Sequence, residues 1–426
     1  MRRIFAYTLL NHSAFSGSRV AVALAGLELS ASPFAIGLIL SFYSLLPLFL
    51  SVAGGRWVDR VGMRLPMLAG SALLAFGVSV PFLTWDIGSL YLSSITVGLG
   101  FMGFHICTQK AAGDLGGEAR RKENFSLLAI GYSVSGFVGP TLAGLTIDHF
   151  GFRSAFAVLT ALPCVTLALI WRFPLSVSPP ESAITAPASA QGSTQMQSPA
   201  PVAGKLSELF RDPALRRLFI AVVLISASWD VHQFMVPLYG AQHGLSASAI
   251  GLVLGTYAVA TFVIRLALPW LSRRYSEWRL ILIAMWTAFA VYAVYPWFPT
   301  LPVMLTLSFV LGLGLGVCQP MILSALHRYA PEGRVGEAVG LRMTLVSATQ
   351  TALPTAFGAL GGALGLAPLF VGMSLLVAGG AVWVRRGLPI EELLRGVGRG
   401  ATSIRSGTPE DASPLIPAAT LQPPEK

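Results

Sequence analysis

The chain has 426 residues, of which 54% are hydrophobic and 11% charged, with a formal net charge of +10 and a mean hydropathy of +0.68. Soluble globular domains carry roughly a quarter charged residues, so this composition excludes one and points to a chain dissolved in lipid. The 44 glycines fit helices packed closely in a bilayer, where small residues let backbones touch.

A helical crossing needs roughly 20 apolar residues. Twelve such runs can be marked, at residues 5–27, 34–54, 66–85, 88–109, 125–147, 153–172, 216–240, 247–271, 279–298, 301–324, 337–360 and 363–384. The first has no A-x-A-like cleavage site and reads as a retained span.

Between the second and third runs lies Gly55-Arg56-Trp57-Val58-Asp59-Arg60-Val61-Gly62-Met63-Arg64, read as the turn of a tight antiparallel hairpin. Gly55 lets the helices approach, and Gly62 supplies the positive φ that a reversal needs. Arg56, Arg60 and Arg64 put three cations at one membrane face. Asp59, a carboxylate among arginines, is expected to pair with a neighbour or to sit at a helix N-terminus.

The fifth run holds Ser135-Gly136-Phe137-Val138-Gly139-Pro140-Thr141-Leu142-Ala143-Gly144. Pro140 removes a backbone hydrogen bond and kinks the helix, while Gly139 and Gly144 permit close packing there. Residues 173–204, rich in Pro, Ser, Ala, Thr and Gln, read as a flexible linker, and 205–217 as a short amphipathic surface helix. The domains expected are therefore 1–172 and 215–386, each of six helices, joined by 173–214 and followed by a disordered tail, 387–426.

Basic residues crowd the loops of one face, and the opposite face keeps only Arg153. That asymmetry places both termini in the cytoplasm and makes the cations topology determinants, with no nucleic-acid partner implied. Cys107, Cys164 and Cys318 all fall inside spans, so no disulfide framework is implied.

The halves repeat. Ile36-Gly37-Leu38 meets Ile250-Gly251-Leu252, an offset of 250 − 36 = 214. At the same offset Gly98 and Gly100 meet Gly312 and Gly314, and Pro140-Thr141 and Gly144 meet Pro354-Thr355 and Gly358. An internal duplication of a six-helix unit explains this register. The hairpin is not duplicated: Asp59 falls on Arg273 and Gly62 on Ser276.

The hairpin spacing resembles the loop 2-3 signature of the major facilitator superfamily. Gly-Pro, two residues, Ala-Gly in the fifth run is similar to the span-five motif of its proton-driven antiporters. Val58 and Met63 depart from the first motif, Ser126 and Ser135 from the second, and Ser94 stands where drug-efflux members carry an arginine. The resemblance covers residues 1–386 apart from the linker. It implies an all-α membrane protein of 12 transmembrane helices in two pseudo-symmetric six-helix bundles, working by alternating access around a central cavity at the repeat interface. It also implies that Asp59 and its neighbouring cations latch the cytoplasmic gate across the bundles, with Arg342 as a further anchor.

Ionisable groups inside spans are costly and mark function or pairing. Counting 1.5 Å per residue, Arg19 and Asp230 lie about 21 Å from the cytoplasmic ends of spans one and seven, past mid-membrane. Arg19 is read as binding an anionic group of the substrate in competition with Asp230, whose protonation is linked to release; a structural salt bridge joining the bundles is the other reading. His105 and Gln109 sit one turn apart, with Gln319 at the position equivalent to His105, as substrate contacts or as helix-packing groups. Gln350 is a candidate of the same sort, and Trp229 offers a stacking surface near Asp230. Arg265 is read as snorkelling or functional.

No phosphate-cradling loop and no metal-spaced ligand set appears, so the chain reads as neither an enzyme nor a metal or cofactor protein. The reading is a monomeric secondary transporter of a small organic solute in a bacterial inner membrane, exporting against protons. The alternatives are a proton-coupled importer of an organic anion and a sensor or scaffold that keeps the fold without transport.

Overall fold

In a computed structural model, residues 1–115, 117–173, 209–331 and 334–388 are described. Span one is Arg2–Glu28, span two Pro33–Val61, span three Arg64–Leu83 and span four Ile87–Asp114. Spans five and six run together as Gly117–Arg172, broken only at Gly151, where φ is 79°. Span seven is Pro213–Gln242, span eight Ala247–Arg274 and span nine Glu277–Val294, with a 3-10 turn at Tyr295–Trp297. Span ten is Leu301–Gly316 continued by Cys318–Tyr329, span eleven Val335–Leu364 and span twelve Leu366–Arg386.

Among the described residues nine helices are long and apolar enough to cross a bilayer, and one of these, Glu123–Arg172, is 50 residues long and makes two passes. Spans one and eleven are long enough but more polar; in span one the polar side chains face protein, as described below. Helix starts follow the local chemistry. Ser32, Asp86, Asp212, Ser246 and Ser276 each accept a hydrogen bond from the backbone N–H three residues on, satisfying donors that a helix leaves unpaired. Hydroxyls inside the spans mostly turn back to the carbonyl four residues earlier, as Thr96 does to Leu92 at 2.7 Å and Thr261 to Tyr257 at 2.9 Å, which removes their cost in lipid.

The two bundles meet along two pairs of helices, span two with eleven and span five with eight, and the duplication is visible in atomic detail. A Cβ on Gly37 would come within 2.8 Å of the Pro354 carbonyl carbon, and one on Gly251 within 3.0 Å of that of Pro140. Gly358 lies against Pro33 and Phe34 just as Gly144 lies against Ala247 and Ser248. Every one of these pairs is related by the 214 offset, for example 251 − 37 = 214. The closed contacts gather at the end of the molecule away from the termini, where Ser41 also meets Thr355 across the bundles at 2.8 Å. Towards the arginine-rich end a Cβ on Gly55 or Gly340 would meet nothing within 4 Å. The tightest backbone contacts between the bundles are therefore at one end, while nearer the arginine-rich end Arg265 of span eight still reaches Ser133 of span five.

Three expectations change. Span two continues through Val61, so Gly55 to Arg64 is not a loop: only Gly62, with φ 78°, and Met63 interrupt the helices. Gly55 makes no close helix contact: a Cβ there would meet nothing within 4 Å. Arg216 and Arg217 belong to span seven, which Asp212 caps and Pro213 starts, and not to a separate surface helix. The rest of the expected linker, 174–208, and the tail from 389 lie outside the described residues.

Candidate functional site

Spans one and seven are the inner helices. Between Ile4 and Leu27, and between Arg217 and Ala241, no residue is exposed, although each helix crosses a full membrane thickness. Their half-buried residues form stripes at helical spacing, His12, Phe15, Ser16 and Arg19 on one and Ser226, Trp229 and Gln233 on the other. Since neither helix faces the outside, these stripes line the space between the bundles.

Asp230 is 2% exposed. Its carboxyl abuts Thr349 of span eleven and lies within electrostatic reach of Arg19, yet Oδ2 has no hydrogen-bond partner. Arg19 is half-buried, its guanidinium carbon 5.8 Å from the centre of the Tyr43 ring. No ion pair joins Arg19 to Asp230 among the described residues, so the salt-bridge alternative is not what the structure contains. The tertiary fold brings the two charges to one space without letting them neutralise each other. Both lie on positions that break the repeat, since Arg19 aligns with Gln233 and Asp230 with Ser16.

Aromatic rings flank the charges in matched pairs. Phe15 meets Tyr43 edge-to-face at 5.6 Å, and Trp229 meets Tyr257 edge-to-face at 4.9 Å. Both pairs obey the offset, as 229 − 15 and 257 − 43 each equal 214. The sequence reading picked out Trp229 but missed Phe15, Tyr43 and Tyr257; testing aromatic residues against the repeat would have found them. His232, the equivalent of Ser18, stacks on Tyr257 at 4.6 Å and bonds through Nε2 to Ser308 Oγ at 2.9 Å.

His105 Nδ1 lies 2.8 Å from the Tyr132 hydroxyl and its Nε2 3.4 Å from Gln109 Nε2. The same cluster includes His12, whose Nδ1 is 2.6 Å from Ser135 Oγ. His105 is thus held within the first bundle. Gln319 is not brought to it: it sits exposed just after the break in span ten, without a hydrogen bond. Gln350 is half-buried beside Thr349. Arg265 reaches across the bundles, its Nη1 3.3 Å from Ser133 Oγ, which replaces the snorkelling alternative with a protein partner.

The expected latch pairs differently. Asp59 makes an ion pair with Lys110 of span four, inside its own bundle. Arg60 and Arg64 are exposed, and Arg342 is buried with only the Met343 sulfur as a hydrogen-bond partner and Nε unsatisfied. Span four packs against span two, which brings Lys110 within reach of Asp59. In span five, Gly139 packs against Ser13 and Gly17 of span one, while Pro140 and Gly144 pack against span eight. The motif therefore ties an inner helix to the closed interface.

That end also carries a charged clasp. Asp148, at the end of span five three residues before the break at Gly151, accepts the backbone N–H groups of Ala247 at 2.9 Å and Ser248 at 2.8 Å. Partial burial alone would raise the carboxyl's pKa, but the two backbone bonds, with the Ser246 and Ser248 hydroxyls close by, outweigh it and hold the pKa below its ordinary value. The clasp has no twin, because 148 + 214 = 362 is a glycine. Beside it lies a pocket of about 370 Å³ lined by Leu24, Glu28, Asp148 and Leu245 among others.

The family profile of the Major Facilitator Superfamily matches residues 4–354. The chain belongs to that superfamily. Among solved structures it is similar to a POT family transporter in complex with 5-aminolevulinic acid, with a TM-score of 0.73 at 15% identity over 90% of this chain and 95% of that one. It is similar also to a bacterial homologue of the human lysosomal transporter Spinster in an inward-facing and unoccupied conformation, with a TM-score of 0.71 at 14% identity over 90% and 95% of the two chains. At such identities the likeness establishes the fold: an all-α multi-pass membrane protein with two six-helix bundles. Superfamily membership makes it a transporter.

Proposed function

We propose that this superfamily member is a secondary active transporter of a small organic solute, working as a monomer by alternating access and coupled to protons. The observation that carries the reading is Asp230: a buried carboxyl with an unpartnered oxygen, within electrostatic reach of Arg19 but not paired with it, at the junction of two bundles whose tightest backbone contacts gather at one end. A protonated Asp230 is neutral and leaves Arg19 free for a solute's anionic group. An ionised one competes for Arg19 electrostatically and favours release.

The arginine-rich end is assigned to the cytoplasm of a bacterial inner membrane by the positive-inside rule, so the structure is read as open inward. Glycine-mediated contacts hold the outer end, and the Gly139-Pro140 kink links that closure to span one. In the opposite state Asp59, Arg60 and Arg64 would close the inner end, with Arg342 as the acceptor side. Export is preferred over import on the span-five motif. Residues 1–172 and 215–386 act as the rocking units.

The test uses everted membrane vesicles loaded with a pH-sensitive dye and challenged with a panel of organic acids, amino acids, siderophores and drugs. Solute-elicited proton movement in the wild type, lost in Asp230→Asn, supports the reading. Solute flux that is unaffected by either the pH gradient or Asp230→Asn overturns it.

A further inference from the structure

The geometry points to a ring-bearing organic monoanion as the solute, its acid group on Arg19 and its ring between the Phe15–Tyr43 and Trp229–Tyr257 pairs. This rests on the transport reading above and deepens it.

The argument begins with which charge a solute can reach. Arg19 is half-buried, has no hydrogen-bond acceptor among the described residues, and rests on the face of Tyr43. A guanidinium held this way keeps its fork of donors free for a carboxylate or similar group. Asp230 is the reverse case: at 2% exposure it lies behind the helix surface against Thr349, where an ammonium group could not enter without displacing protein. Of the other arginines drawn inward, Arg265 already bonds to Ser133, and Arg342 is buried at 8% exposure near the arginine-rich end of span eleven. The accessible, unsatisfied charge is positive. A zwitterion or a cation fits this asymmetry less well than an anion does.

The ring follows from the repeat. Tyr43 and Tyr257 are buried, whereas Phe15 and Trp229 are half-buried. Each half-buried ring is held edge-to-face by a buried tyrosine; Phe15 is also stacked on Phe101 at 4.0 Å, so it offers a solute its remaining face and edge, while Trp229 supplies the other wall. Two rigid aromatic walls at equivalent heights on inner helices give a slot for a flat apolar group, at little cost in side-chain entropy. Arg19 stands one turn from Phe15 on the same stripe, so acid and ring of one small solute can be engaged together.

The test measures the melting temperature and Trp fluorescence of the purified full-length protein with four matched probes: benzoate, cyclohexanecarboxylate, benzylamine and phenylalanine, with 2-naphthoate as a larger aromatic acid. The aromatic acids are expected to bind most tightly and benzylamine not at all. Arg19→Ala should weaken the aromatic acids roughly ten- to hundred-fold, with Arg19→Lys between. Trp229→Ala should cut the preference for benzoate over cyclohexanecarboxylate about two- to ten-fold while keeping the need for an anion. Tighter binding of benzylamine or phenylalanine, benzoate binding that survives Arg19→Ala, or no binding of either aromatic acid overturns the inference. If a cation or zwitterion binds and drives proton movement, the transport reading stands and this one falls.

Discussion

Removing the Asp148 clasp should open the closed end of the molecule. Asp148→Ala deletes two hydrogen bonds from backbone N–H groups of the first turn of span eight to an ionised carboxylate, at 2.9 and 2.8 Å. Fully desolvated, such bonds contribute about 1.5–3 kcal/mol each. Asp148 is exposed, so screening brings the pair down to the scale of a helix cap in its charge-favouring field, about 1–2 kcal/mol in total. A bias of that size corresponds to roughly a five- to thirty-fold change in the ratio of the two states. Thr141 is a suitable reporter, because its hydroxyl is sealed under Gly251 and Gly255 at the interface of spans five and eight. In a Thr141→Cys variant lacking Cys107, Cys164 and Cys318, labelling by a membrane-impermeant thiol reagent should accelerate by that factor on adding Asp148→Ala, and by less with Asp148→Asn. The pH dependence has a definite sign. A carboxyl whose folded pKa is depressed contributes its clasp above the ordinary carboxylate range and loses it as pH falls through the lowered value. Normalised at each pH to a fully exposed cysteine, because only the thiolate reacts, labelling of the parent should therefore stay slow at neutral pH and rise only in acid, while Asp148→Asn shows no such rise. Labelling of Asp148→Ala within twofold of the parent at neutral pH would refute the clasp.

Gly37→Ala and Gly251→Ala put a methyl against backbone that cannot yield, and each should destabilise the closed end by about 1–3 kcal/mol, read as a lower melting temperature or faster labelling at position 141. Gly55→Ala is the control: with open space around it, the change should be neutral or stabilising by up to about 1 kcal/mol through helix propensity. Asp230→Asn, nearly isosteric, should leave the melting temperature within a few degrees but flatten the pH dependence of transport; a transport profile still following pH would count against Asp230 as the coupling group. Lys110→Ala removes the partner of Asp59, an exposed pair contributing only about 0–1 kcal/mol to stability. If Asp59 changes partners during the cycle, the transport rate should change more than twofold at unchanged melting temperature, and an unaltered rate would show that the pair is passive.

Much of the fold is legible in the linear chain because lipid imposes a simple rule: backbone polar groups must be satisfied within each crossing, so apolar runs of the right length become helices. The repeat extends that legibility to contacts. The 214 offset pairs Gly37 with Gly251 and Pro140 with Pro354, and these residues form opposite halves of the same two interfaces, since duplicated chains reuse duplicated packing. The hairpin was read less well. A run of arginines looks like a loop by composition, yet helix two simply continues through it to Gly62, because a solvated helical turn accommodates charges as readily as a loop does.

The side-chain partners belong to the three-dimensional arrangement alone. That Asp59 would pair with Lys110, that Arg19 and Asp230 would face each other unpaired, and that Asp148 would clasp a helix 99 residues away depend on which ends of the bundles meet, and nothing local in the chain encodes that. Hydropathy specifies which runs become membrane helices; the choice of neighbour for each buried charge is made by packing between distant segments, where a shift of a few ångströms exchanges one partner for another.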